Sequence, residues 1–145
     1  MHDKNPNVEA LNMIYQTAKM AIDSIDCVIP KIKNTNLKRD LASQLLSYHH
    51  IMKNSSSQLY NSNHYPQEIN LLTKIPAAAS IYLKSAVDSS ESHIAEIMIE
   101  NSTAGMIELQ RNSNHHRNLT REVSEIRDEA INLEQNNINQ LRNYL

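Results

Sequence analysis

The sequence predicts an all-α fold: a bundle of four long helices forming one domain over residues 1–145. Three observations carry that expectation. Apolar residues recur at alternating spacings of four and three, which aligns them on one face of a helix. Glycine occurs once and proline four times, so the frequent turns of a sheet protein have no residues to make them. Trp and Phe are absent, leaving Leu, Ile, Met, Val, Ala and Tyr to build a slim core between closely packed helices.

The first helix carries Leu11, Tyr15, Ala18, Ile22, Ile25, Ile29 and Ile32 in that rhythm, with Ile14, Ala21 and Val28 widening the stripe. Pro30 falls late, where it kinks or ends a helix. Asn34-Thr35-Asn36 reads as a tight turn. The second helix follows with Leu41, Leu45, Tyr48, Met52, Ser55 and Leu59, flanked by Leu37, Gln44 and Ile51, and decays between Asn61 and Pro66. So short a connection makes the first two helices antiparallel.

From about Gln67 to Val87 the chain is apolar and Ala-rich, and reads as a connecting helix. Asp88-Ser89-Ser90-Glu91 matches a capping-box-like start. It opens a third helix from about Ser89 to Arg111, and a fourth runs from about His116 to Tyr144. The fourth helix has Leu119, Val123, Ile126, Ala130, Leu133, Asn137 and Leu141 on its core face. A connecting helix of about 20 residues covers about 30 Å. That carries the chain from one end of the bundle to the other and makes helices two and three parallel, as in ferritin-like folds with one crossover. A plain up-down-up-down bundle, with a long third helix bent near Asp88, is the alternative.

Charge and composition narrow the function classes. With 14 basic and 16 acidic residues the net charge is -2, which lacks the basic excess of a nucleic-acid binder. Cys27 is the single cysteine, so no intrachain disulfide forms. The first six residues lack the apolar stretch of a signal peptide, and no run approaches the roughly 20 apolar residues of a membrane span. A cytoplasmic location without membrane contact is the expectation.

The third helix places ionisable groups on its expected core face, which reads His93, Ile97, Glu100, Ala104 and Ile107. Glu96 and Glu100 are four apart, a like-charge pair that costs an isolated helix about 0.2–0.5 kcal/mol. An inward carboxylate needs a partner, a proton or a metal. His49, Glu100 and Glu129 fall at similar depth near mid-bundle. They are candidate ligands for a divalent metal such as iron or manganese, with His93, Glu96 and Asp26 assisting. The alternative is that these side chains reach water or pair at the stripe edges.

Gly105 interrupts a predicted helix at a cost of about 1 kcal/mol relative to Ala. Close approach of another helix backbone is the leading explanation, and space for a ligand the lesser one. His115-His116-Arg117 with Arg121 reads as an exposed, self-compensated charged face. Glycine-rich phosphate loops, nucleophile elbows, His-Glu-x-x-His and Cys-x-x-Cys are all missing.

The segment His93-Ile-Ala-Glu-Ile-Met-Ile-Glu-Asn-Ser-Thr-Ala-Gly-Met-Ile-Glu-Leu109 resembles a small group of uncharacterised proteins from anaerobic Gram-positive bacteria. Ala18-Lys-Met-Ala-Ile-Asp-Ser-Ile-Asp26 and Asn136-Asn-Ile-Asn-Gln-Leu-Arg-Asn-Tyr-Leu145 are similar to theirs too. Those proteins look like ferritin-like bundles, so the resemblance implies that fold across most of the chain and no particular activity. The wider ferritin-like superfamily uses a carboxylate on each of two helices and Glu-x-x-His on the other two. Here His93-Ile-Ala-Glu96 has the reverse order and helix four has no His near its middle, so ferroxidase chemistry is not carried over.

The expected function is therefore that of a non-catalytic bundle, without a cofactor, that self-associates or packs against a protein partner. A metal-binding bundle with a degenerate carboxylate and histidine site is the alternative.

Overall fold

A computed structural model describes residues 5–67 and 84–145. All regular structure among the described residues is helical. Four long helices dominate: α1 (Pro6–Val28), α2 (Thr35–Asn61), α3 (Glu91–His115) and α4 (Arg121–Leu141). No helix among the described residues is long and apolar enough to cross a membrane. The connecting helix expected from about 67 to 87 lies outside the described residues, except that 84–87 are helical.

Local side-chain chemistry sets the helix ends. Asn5 caps α1, with Pro6 in its first turn, where the missing N–H leaves no bond unmade. At the far end Pro30 draws Ile29–Lys31 into a 3₁₀ turn, and Asn34 Oδ1 accepts the Leu37 N–H at 3.0 Å to start α2. The α2 terminus is a Schellman-type stop. Asn63 takes a left-handed φ of 61°, and the His64 N–H returns to the Leu59 carbonyl at 2.8 Å.

Two boundaries differ from expectation. Asp88 Oδ1 accepts the Ser90 N–H at 2.8 Å, which leaves Ser90 as the cap and delays α3 to Glu91. Thr120 caps α4 through the Val123 N–H, so α4 begins five residues later than expected and α3 reaches His115.

Hydrogen bonds between helices give their directions. Along α2 and α4, Asp40 meets Tyr144, Gln44 meets Gln140 and Tyr48 meets Asn137, so these two run antiparallel. Asn34, just ahead of α2, meets Glu91 at the start of α3, and Glu9 meets His116 at its end. Asn7 accepts the Thr120 N–H, placing the starts of α1 and α4 together. Helices α2 and α3 therefore point the same way, and the chain between them changes ends of the molecule.

The core is one aliphatic cluster. Leu11, Ile14, Ala18, Ile25 and Val28 from α1 meet Leu37, Leu41 and Ile51 from α2, with Ile94, Met98, Leu109, Val123 and Leu141 from the other pair. The stripes expected for α1, α2 and α4 are largely those observed, although Tyr15, Leu45 and Leu133 are only partly buried. The α3 stripe is a correction. Its buried face is Ile94, Ala95, Ile97, Met98, Ser102, Leu109 and Asn112, while Glu100, Ala104 and Ile107 face solvent. Apolar residues occupy every position but Glu96 from Ile94 to Ile99, so this helix can turn either of two faces inward. Packing against α1 and α4 selects the one that spares Glu100 a desolvation cost.

Candidate functional site

The inward face of α4 contains charge. Val123, Arg127, Ala130, Glu134, Asn137 and Leu141 are all buried, at spacings of four, three, four, three and four. Glu134 is 2 % exposed, at mid-bundle. The hydroxyls of Tyr48 on α2 and Ser102 on α3 stand beside its carboxyl and act to lower its pKa. Tyr48 is in turn held by Asn137 Nδ2 at 2.9 Å. One turn closer to the α4 C-terminus, Gln44 Nε2 donates to Gln140 Oε1 at 2.8 Å.

Two buried side-chain atoms of this face, Glu134 Oε2 and Arg127 Nε, have no hydrogen-bond partner among the described residues. Burial pushes the Glu134 pKa from 4.5 up to about 7, against the lowering effect of the Tyr48 and Ser102 hydrogen bonds. Burial, and then the nearby Glu134 charge, likewise drives the Tyr48 phenol well above its ordinary value. The carboxyl is thus poised to exchange its proton near neutral pH while Tyr48 keeps its own.

A cleft of about 930 Å³ between α1 and α3 has Glu134 in its wall. Thr17 of α1 and Gly105 of α3 stand beside the carboxyl. A Cβ on Gly105 would lie 3.0 Å from the Thr17 Cγ2 and 3.6 Å from Glu134 Oε2. Thr17 cannot readily turn its methyl away, because its hydroxyl donates to the Met13 carbonyl at 2.8 Å. The glycine therefore makes room for two side chains rather than for the helix backbone expected from the sequence. Amides dominate the polar lining, with Asn12, Gln16, Asn101 and Asn112 all at the cleft.

At the cleft end nearest the chain start, His116 Nε2 stands 3.2 Å from Glu9 Oε2. Behind them Arg127 Nη1 donates to the His116 carbonyl at 2.9 Å and contacts Asn112 Oδ1 at 3.4 Å. His116 is the residue that ends α3, so the guanidinium answers the partial negative charge of that helix terminus.

The metal candidates do not come together. His49 is exposed on α2, and Asp26 is exposed on α1. His93 pairs with Glu96 at 3.6 Å within α3. Glu100 is exposed and lies 3.6 Å from Lys84, and Glu129 is exposed and lies 3.9 Å from His50. Among the described residues no three His, Cys, Asp or Glu side chains group closely enough to hold a metal ion. As placed, His49, His93, Glu96, Glu100 and Glu129 form no common ligand set for iron or manganese. Glu100 and Glu129 lie off the inward faces of α3 and α4.

Glu134 and Arg127 escaped the sequence reading although a signal was present. Counting four on from Val123 and from Ala130 reaches Arg127 and Glu134. The neighbouring Ile126 and Leu133 fit a similar rhythm, and being apolar they were the natural choice for a core. No protein-family model, curated protein or solved structure matches the chain.

Proposed function

We propose that this chain is a non-catalytic binding protein, a ferritin-like four-helix bundle that holds a small molecule in the α1–α3 cleft. One observation carries the reading: the buried, unpartnered Oε2 of Glu134 in the wall of that cleft. A buried polar atom without a partner costs about 1–3 kcal/mol. Each such atom in a folded protein calls for an explanation, and a group that binds to it is one. Concave sites with a few convergent polar groups on an apolar ground are where small ligands bind. The ferritin-like part of the reading is supported by the codirectional α2 and α3, and by the resemblance of 93–109, which contains both Ser102 and Gly105.

Amide nitrogen and proton chemical shifts would test this with a mixture of small soluble fragments. Changes are expected at residues 12–20 and 101–108, with those at 125–129 still. Changes absent from the cleft, or confined to the α2–α4 face, would contradict it.

A second reading is self-association through the α2–α4 face, favoured by Leu46, which is 72 % exposed. Leu46 borders a shallow groove with Ile51 and Leu133, rimmed by Glu125, Asp128 and Glu129. Light scattering across a concentration series tests it, and a strict monomer at high concentration removes it.

A further inference from the structure

We infer that the cleft takes an organic cation, an ammonium group on a compact apolar body, with Glu134 as its counter-ion. This rests on the cleft reading and adds the class of ligand. The argument begins from what the carboxyl lacks. The Tyr48 and Ser102 hydroxyls stand beside it inside the bundle, while Oε2 has no donor among the described residues. An ammonium N–H is such a donor, and a charge-assisted bond of this kind is roughly twice as strong as a neutral one.

The charge of the cleft selects the sign. Its described lining includes Glu9, Glu108 and Glu134, one histidine, His116, and no Lys or Arg. Glu9 faces His116, and Glu108 accepts from Arg111 Nη1 at 2.9 Å. Glu134 is the lining acid with no ion pair of its own among the described residues. An anion brought here would meet like charge, and a neutral molecule would leave Glu134 without a counter-charge. Met13 and Met20 offer flexible thioether surface for an apolar body. Gly105, with a hydrogen where other residues carry a side chain, keeps its side of the carboxyl clear, since a Cβ there would lie 3.6 Å from Oε2.

Binding is expected to depend on pH. The groups around Glu134 are Tyr48 from α2, Ser102 and Gly105 from α3 and Thr17 from α1, with Arg127 two turns away on its own helix. Glu134 must be ionised to serve as counter-ion, and its pKa is about 7. An alkylammonium stays charged up to about pH 10. Affinity therefore rises as pH passes through 7 and levels off above it.

The test uses the full chain and three probes of one shape: cyclohexylmethylamine, cyclohexylmethanol and cyclohexanecarboxylate, each titrated at pH 6 and pH 8 while amide shifts are followed. The amine is expected to bind saturably at 12–20 and 101–108, about tenfold more tightly at pH 8 than at pH 6. Glu134→Gln is expected to lose that binding while its helical circular dichroism is unchanged. If the variant does not fold, the pH dependence of the natural chain still decides. Alcohol or carboxylate binding in the cleft as tightly as the amine overturns the cation assignment and leaves the cleft reading standing. Amine binding indifferent to pH or to Glu134→Gln overturns it as well. Failure of all three probes to move the cleft amides overturns both.

Discussion

The end of the bundle near Asn34 and Glu91 and the middle of the bundle solve the same packing problem with different chemistry. Near that end Ile25, Val28, Leu37, Leu41, Ile94 and Leu141 are fully buried aliphatics. At mid-bundle Tyr48, Ser102, Glu134 and Asn137 occupy positions that are also buried. The aliphatic layer gains from every atom it removes from water, about 25 cal/mol per Å². The polar layer must satisfy each group it buries and leaves Oε2 unmet. One layer gains stability from burial alone; the other gives some of it up to a buried carboxyl.

That contrast breaks first if the aliphatic layer proves dispensable. Leu41→Ala is expected to cost about 2–5 kcal/mol in denaturant unfolding, since it opens a cavity where no atom was exposed.

The next largest effect should come from the polar layer and carry the opposite sign. The folded Glu134 pKa of about 7 lies above its ordinary 4.5, so the folded state holds the proton more tightly. Its stabilising contribution is complete below pH 4.5 and disappears as pH rises to 7, a loss of about 3 kcal/mol. Glu134→Gln should therefore exceed the natural chain in stability at pH 8 and approach it at pH 4. Parallel pH profiles for the two proteins would mean that Glu134 is not desolvated.

A smaller effect sharpens the account of the cleft wall. Gly105→Ala should gain about 1 kcal/mol of helix propensity in a Thr17→Ser background. It should gain less in the natural chain, where the Thr17 methyl stands 3.0 Å from the new Cβ. Equal gains in both backgrounds would show that the wall is loose. Smallest of all, Tyr144→Phe should cost under about 1 kcal/mol, because the bond from its hydroxyl to Asp40 at 2.5 Å lies near the surface. The same bond pushes the Tyr144 pKa up to about 12, so spectroscopic titration of the tyrosines should show that late step only while Asp40 is present.

The contrast between layers also explains what could be read in advance. Helices α1 and α2 were legible because Leu11, Ala18, Ile25, Leu41 and Leu59 leave one face to choose. For α3 the apolar residues wrap the helix between Ile94 and Ile99, so local pattern does not fix its rotation. The wrong choice carried Glu100 inward and, with it, the expected metal cluster. In α4 the rhythm was right but two of its members are charged. Glu134 was hidden because an adjacent leucine fits a core by composition alone. Whether its carboxyl is buried depends on Thr17, Tyr48 and Ser102, which converge only when the helices pack.

The most direct measurement is a carboxyl carbon NMR titration of Glu134 in the free protein. A midpoint near 7 is the result the buried carboxyl requires. A midpoint at or below the ordinary 4.5 would place Glu134 in contact with water or a cation of the chain itself, and would contradict the account.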